Sequence, residues 1–279
     1  MEQGPFFTGR GVRTHRSTER RLQVKPRGGC AWGACVYLTE IEGTWARLPG
    51  VRWALLSDIH SNLDALTAVL EDMATQGADE VFALGDLIGY NAQPNEVLRL
   101  LRERKVQCIQ GNHDRAVLTG HPAGFNPYAT AGVDYTRKVL QPQHRTWLAE
   151  LPEMRAPGAS GVTAMLVHGS PRDPLSEYIF PGSPAWLFEE LAEAAGSPSI
   201  VAMGHTHVPM RVDQGTLFVN PGSVGQPRDG DARASYCVLD TTRRTTEFHR
   251  VPYDVESAAA KVRDAGLPDV LWQRLLRGV

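Results

Sequence analysis

Five short apolar runs in this chain stop abruptly at glycine, aspartate, asparagine and histidine. Leu55-Leu56 leads to Ser57-Asp58-Ile59-His60-Ser61-Asn62, Phe82-Ala83-Leu84 to Gly85-Asp86, and Cys108-Ile109-Gln110 to Gly111-Asn112-His113-Asp114. Further on, Met165-Leu166-Val167 leads to His168-Gly169, and Val201-Ala202-Met203 to Gly204-His205-Thr206-His207. Apolar runs this short, bounded by such residues, read as buried strands. Between them, residues 62–76 carry apolar side chains at helical spacing and end at Gly77, and Pro94 opens a second helix, where its missing N–H is harmless. Two successive βα units imply neighbouring parallel strands with helices packed on the sheet, an α/β class of fold. In an open α/β sheet, ligands bind beyond the carboxyl ends of the strands. The five polar tips are therefore expected at one place.

The rest of the chain is less constrained. Residues 115–160 read as helical and loop-rich. Strands are expected over 162–167, 199–203, 217–219, 235–239 and 246–251, a helix over 184–195, and one or two helices over 255–276. Residues 1–50 carry seven arginines and no sustained period. They read as a disordered or loosely attached extension, or as the product of an upstream start, with only 34–41 resembling a strand. The domain proper is expected over 51–279. No apolar run reaches the roughly 18 residues of a membrane span, and the four cysteines match no CxxC pattern. The formal net charge of −2 offers no basic groove for nucleic acid. A cytoplasmic location is the expectation; oligomeric state is not legible.

Asp, Asn and His are oxygen and nitrogen ligands suited to Mn, Fe, Zn, Ni or Co. Asp58 and His60, two apart, project to one side of an extended strand end, and His205 and His207 repeat the arrangement. Five of the nine histidines lie in the tips. A single Asp-x-His or His-x-His is more often structural and a Gly-Asp pair is usually a turn. Five such tips in order, each directly after an apolar strand, are not explained that way.

The series Asp58-x-His60, Gly85-Asp86, Gly111-Asn112-His113-Asp114, His168 and Gly204-His205-x-His207 resembles the ordered motifs of the calcineurin-like metallophosphoesterases, over about residues 51–251. The resemblance implies a four-layer α/β/β/α sandwich of two mixed sheets with helices outside. It also implies two divalent metal ions, manganese first, with Fe, Zn, Ni, Co or Mg as alternatives. Asp58, His60 and His207 would hold one ion, Asn112, His168 and His205 the other, and Asp86 would bridge them. Two ions about 3.5–4 Å apart clamp the attacking and leaving oxygens of an in-line displacement, with a metal-bridging hydroxide as nucleophile.

His113, beside a ligand, suits a general acid or a clamp on the phosphoryl group. Asp114 either orients the His113 ring or caps a helix. Gly85-Asp86-Leu87-Ile88-Gly89-Tyr90 lacks the second Asp and the Arg of the protein-phosphatase branch. Asp58-Ile-His60-Ser-Asn62-Leu-Asp-Ala-Leu66 and Asn220-Pro-Gly-Ser223-Val are instead similar to the small prokaryotic phosphodiesterase and phosphatase branch. Substrate contacts are expected from Asn112, from Asn62 (or else it caps a helix), and from Arg228, with Arg172 and Asp173 as further candidates. Asn220-Pro221-Gly222-Ser223 reads as a structural turn under the site. Tyr128, Tyr135, Tyr178 and Phe180 either stack on a base or belong to the core. The expected activity is hydrolysis of small phosphodiesters, nucleotides or phosphomonoesters. A dinucleoside polyphosphate hydrolase and a non-catalytic scaffold are the alternatives.

Overall fold

The computed structural model describes residues 39–41, 44–46, 50–159 and 161–279. The expected extension over residues 1–50 lies outside the described residues, apart from Gly50 and an antiparallel pair, β1 (Thr39–Ile41) and β2 (Thr44–Ala46).

From β3 (Arg52–Leu56) strands and helices alternate: α1 (Leu63–Met73), β4 (Glu80–Ala83), α2 (Pro94–Glu103) and β5 (Gln107–Cys108). These three strands lie side by side and parallel, with Leu55 opposite Phe82 and Ala83 opposite Cys108. Three helices follow, α3 (Asn112–Thr119), α4 (Pro127–Val139) and α5 (Pro142–Glu150). The chain then forms β6 (Met154–Arg155), β7 (Gly158–Ala159), β8 (Val162–Val167), α6 (Ala185–Ala194), β9 (Ile200–Ala202), β10 (Met210–Gln214) and β11 (Thr216–Asn220). It ends with β12 (Ala234–Asp240), β13 (Thr245–Val251), α7 (Val255–Asp264) and α8 (Asp269–Arg277).

One sheet runs β13-β12-β3-β4-β5, antiparallel up to β3 and parallel beyond it. The other runs β10-β11-β9-β8-β6, with β7 also on β8; its β11, β9 and β8 are parallel and its edges antiparallel.

The strand period of two decides the layering. Trp53, Leu55, Phe82 and Leu239 of the first sheet cluster with Leu166, Ile200, Leu217 and Val219 of the second. Ala54 and Leu56, one residue out of phase, instead meet Leu66 and Val69 of α1 and Val97, Leu98 and Leu101 of α2. On the second sheet Val201 and Phe218 turn outward onto Phe188 and Leu191 of α6. The result is helix, sheet, sheet, helix, the four-layer sandwich of two mixed sheets. Each wholly buried leucine contributes about 1.5–3 kcal/mol to it.

The last helical stretch, read as one or two helices, is two, divided at Gly266 (φ 71) and Pro268 into α7 and α8. β10 escapes notice because an edge strand carries charge, here Arg211 and Asp213, where a central strand would be apolar. Among the described residues no helix is long and apolar enough to cross a membrane.

Candidate metal centre

The carboxyl ends of β3, β4, β5, β8 and β9 meet at one edge of the sandwich. There the chain turns through left-handed conformations at Asp58 (φ 53), His60 (φ 47), Asp86 (φ 50), His205 (φ 68) and His207 (φ 62). Such backbone costs about 1–3 kcal/mol at a residue other than glycine and persists only where its surroundings enforce it. The tips enforce it on one another. The Asp58 N–H donates to the Gly85 carbonyl at 3.2 Å, and the His60 N–H to the Asp86 carbonyl at 2.9 Å. Asn220 Nδ2 donates to the Gly204 carbonyl at 2.6 Å and Ser223 Oγ to the Asp58 carbonyl at 2.7 Å, so this turn straps two tips together. Gly204 is required by contact, since a Cβ there would overlap Ser57 Oγ.

Backbone carbonyls fix the imidazole rings. Nδ1 of His60 faces the Ile88 carbonyl at 3.3 Å, Nδ1 of His207 that of Gln226 at 2.5 Å, and Nδ1 of His168 that of Leu84 at 2.8 Å. Nε2 of His205 faces the Ser176 carbonyl at 3.1 Å. A carbonyl only accepts, so each of these nitrogens carries a proton and the other nitrogen of the neutral ring is a bare acceptor.

The bare acceptors converge. His60 Nε2 lies 3.2 Å from His207 Nε2, which lies 3.2 Å from Asp58 Oδ1. His168 Nε2 lies 3.1 Å from both His205 Nδ1 and Asn112 Oδ1. Asp86 Oδ2 stands between the two sets, 3.6 Å from His60 Nε2 and 3.3 Å from His168 Nε2. Lone pairs this close repel unless positive charge sits among them. Asp58 Oδ1 is wholly buried and accepts no hydrogen bond, an orphan that calls for a cation. Asp58, His60 and His207 form one group that could hold a metal ion, and Asp86, His168 and His205 another.

Burial dominates the electrostatics. It pushes the Asp58 carboxyl up to about 7, holds His205 at about 3, and drives His60 and His207 well below the usual histidine range. Burial would lower His168 as well, but the Asp86 carboxylate raises it to about 9. Burial opposes ionisation of Asp86, yet His168 and His113 hold it well below the carboxylate range. In the protein alone a proton on His168 therefore offsets the repulsion, and a metal ion would displace that proton.

His113 is brought to the same place. Its backbone N–H donates to Asp86 Oδ1 at 2.8 Å, and its ring packs against Tyr90, Phe125 and His60 at 4.4, 4.5 and 4.8 Å between centroids. Burial lowers it to about 4, so the ring is neutral at pH 7.

At Asp114 and Asn62 the hydrogen bonds follow the capping alternative. Asp114 does not orient the His113 ring: its oxygens accept from the N–H groups of Gly111 (2.9 Å), Leu87 (3.2 Å) and Ile88 (3.1 Å). These donors start α3 and brace the turn after Asp86, while Nδ1 of His113 is left without a partner. Asn62 is not free for a substrate either. Its Oδ1 caps α1 by accepting from the Ala65 N–H at 3.1 Å, and its Nδ2 donates to the Gly225 carbonyl and Tyr253 Oη.

Arg228 lies at the rim of the centre, with Nη2 donating to Tyr90 Oη at 3.3 Å and to Gln226 Oε1 at 3.0 Å. Arg172 pairs instead with Glu177 and Glu190, and Asp173 accepts from the N–H groups of Leu175 and Ser176, so both build the loop that presents the Ser176 carbonyl. Tyr178 stacks on the His205 ring at 3.8 Å with half its surface exposed, and Phe180 stacks on Tyr178. Tyr135 is tied to the Ala92 carbonyl, and Tyr128 is exposed at the start of α4. Sequence reasoning missed the part of Tyr90 and the four carbonyls that set the tautomers, whereas Phe125 begins a segment, 125–140, that the sequence marks as a wall of the substrate pocket. Every residue has a carbonyl, so nothing in the sequence could have marked those four.

A domain model of the calcineurin-like phosphoesterase superfamily matches residues 51–244. An uncharacterised protein of Methanocaldococcus jannaschii is 35% identical over 243 residues, 81% of this chain and 97% of that protein. The phosphodiesterase YfcE of Escherichia coli K12 is 28% identical over 196 residues, 66% of this chain and 84% of that protein. Among solved structures, a metallophosphoesterase from Sphaerobacter thermophilus superposes with a TM-score of 0.70 at 35% identity, covering 82% of this chain and all of its own. A hypothetical protein of Pyrococcus horikoshii shares the fold at 22% identity, with a TM-score of 0.76, over 82% of this chain and 98% of that one. By its domain match and its relatives, the chain belongs to the calcineurin-like phosphoesterase superfamily.

Proposed function

We propose that the chain hydrolyses small phosphodiesters, nucleotides or phosphomonoesters with two divalent cations, manganese first among them. The observation that carries this reading is the position of Asp86 Oδ2, shared by two converging sets of acceptor atoms. Asp58, His60 and His207 would hold one ion, Asn112, His168 and His205 the other, and Asp86 both. When bound, such a pair polarises the phosphoryl oxygens and activates water near neutral pH.

The chain's own residues supply the rest. His113, neutral at pH 7, donates an N–H to a phosphoryl or leaving oxygen and so acts as a clamp before it acts as an acid. Asn112, less buried than the other candidate ligands, also faces the substrate. Arg228 meets phosphate charge from the rim. The Tyr178–Phe180 stack beside His205 is a platform for a base and supports a nucleotide among the substrates. The name of the YfcE relative supports a diester. Free, buried thiols at Cys108 and Cys237 support a cytoplasmic location.

The test is hydrolysis of para-nitrophenyl phosphate and bis-para-nitrophenyl phosphate with Mn²⁺, with Mg²⁺ and with chelator. Turnover that chelator abolishes and Mn²⁺ restores is expected, and the ratio of the two rates separates monoesterase from diesterase. No turnover by a chain that binds two ions would favour a scaffold.

A further inference from the structure

Of the five imidazole rings at the centre, four are oriented by a backbone carbonyl and His113 is not. Among the described residues its Nδ1 is buried with no hydrogen-bond partner. An imidazole without such a partner turns easily about its Cβ–Cγ bond, whose energy wells are broad. Its N–H would then point at a reacting oxygen only part of the time. The space beside Nδ1 is taken up by backbone. Gly89 (φ 100) runs so close that a Cβ on it would come within 2.6 Å of Nδ1.

Aromatic rings hold it instead. Tyr90 lies 4.4 Å away between centroids, tilted by 43°, and Phe125 4.5 Å away, tilted by 39°. Contacts at this separation are favourable and depend on direction. Tyr90 is itself fixed. Its backbone is left-handed (φ 52), a strained conformation for a tyrosine. The next residue ties this turn to a metal-binding tip, since the Asn91 N–H and Nδ2 both donate to the His60 carbonyl, at 3.2 and 2.7 Å. Arg228 Nη2 donates to Tyr90 Oη, and the ring packs with Ala129 of α4 and Leu271 of α8. Phe125 is half-buried in the connection between α3 and α4. Tyr90 also meets the His60 ring at 4.6 Å, whereas the one ring that Phe125 stacks on among the described residues is His113.

We propose that Tyr90 and Phe125 are positioning residues for His113, setting by contact the ring orientation that a hydrogen bond sets for the other four. This rests on the hydrolytic reading of the metal centre, in which His113 donates to a phosphoryl or leaving oxygen. Phe125 acts on the reaction only through that ring, so it matters to the rate no more than His113 itself does. That limit separates a positioning residue from a substrate contact in the pocket wall.

Kinetics of the full chain on bis-para-nitrophenyl phosphate with Mn²⁺ supply one test. Phe125→Ala should keep its metal content and lower kcat about 10–100-fold, the cost of a misdirected group. In a His113→Ala chain the same change should lower kcat by less than about twofold, because the group it positions is gone. Tyr90→Phe, which keeps the ring, should recover at least about tenfold of what Tyr90→Leu loses. Additive losses from Phe125→Ala and His113→Ala, or an unaltered kcat in Phe125→Ala, would overturn the proposal. A crystal structure of the Phe125→Ala chain in chelator supplies the other test and needs no turnover. The His113 ring is expected to leave its present orientation or to adopt several, with His60, His168, His205 and His207 in place. A ring that keeps its single orientation would overturn the proposal too. A chain that turns over no ester but releases the His113 ring loses the hydrolytic reading and keeps the positioning contact. One that hydrolyses the diester with additive losses loses the positioning role alone.

Discussion

Replacing Asp86 by Asn separates the fold of this centre from its metal chemistry. The change removes one negative charge and can put an NH₂ group where Oδ2 stands, 3.6 Å from His60 Nε2 and 3.3 Å from His168 Nε2. Both nitrogens are acceptors in the neutral tautomers fixed by Ile88 and Leu84. The amide therefore donates to each, at about 0.5–1.5 kcal/mol per hydrogen bond, while Oδ1 still accepts from the His113 N–H. Against this stands removal of one partner of the buried Asp86–His168 ion pair, which costs about 3–5 kcal/mol where the other charge is left uncompensated. The variant in chelator should thus fold but be less stable than the unaltered chain by about 1–4 kcal/mol. Metal binding adds a second difference. At a hundredfold excess over Kd, a bound ion stabilises the unaltered chain by about 2.7 kcal/mol, or about 5–10 °C in Tm for a domain of this size. The variant should show almost none of that gain and no turnover. Scanning calorimetry of both chains, with chelator and with Mn²⁺, reads both effects. An Asp86→Asn chain that gains the same Mn²⁺ stabilisation and keeps its activity would refute the shared-ligand reading.

His113→Ala should retain its metal content by elemental analysis but turn over about 10²–10⁴-fold more slowly. Loss of metal with unchanged activity per bound pair would make His113 a ligand instead. Metal affinity should fall with acidity. Asp86 raises His168 to about 9, so below that pH a proton is bound and must leave when the ion enters. Between pH 8 and 6 the apparent affinity should drop about tenfold per pH unit for each proton released. Titration in buffers of different ionisation enthalpy counts those protons, and a flat profile would contradict the assignment. Asn62→Ala should lower stability by about 0.5–2 kcal/mol through the lost cap of α1, with KM unchanged. A raised KM with unaltered Tm would restore Asn62 to the substrate site.

Much of the centre was legible because burial and ligation write different residues into the chain. The runs that became β3, β4, β8 and β9 are apolar because both faces of each are covered. Polarity returns at once where the chain leaves the sheet at Asp58, Asp86, His168 and His205. The parallel order of β3, β4 and β5 followed from the two helices between them. The second sheet lying face to face with the first had no such signal of its own, and was implied only by the resemblance of the motifs.

By itself the sequence determined which atoms reach the site and in what order, because strand-then-tip is a local pattern. Tertiary structure alone decided what each atom does there. Asp114 and Asn62 could cap or catalyse with the same oxygens, and the choice fell to whichever donors lay nearest, Gly111, Leu87 and Ile88 for one and Ala65 for the other. His60 and His207 stand 147 residues apart in the chain, and their bare nitrogens face each other at 3.2 Å. That closeness, and the carbonyls that turn each ring, come from the packing of one sheet against another. Residue type sets what a side chain can donate or accept, and only the folded neighbours determine which partner it finds.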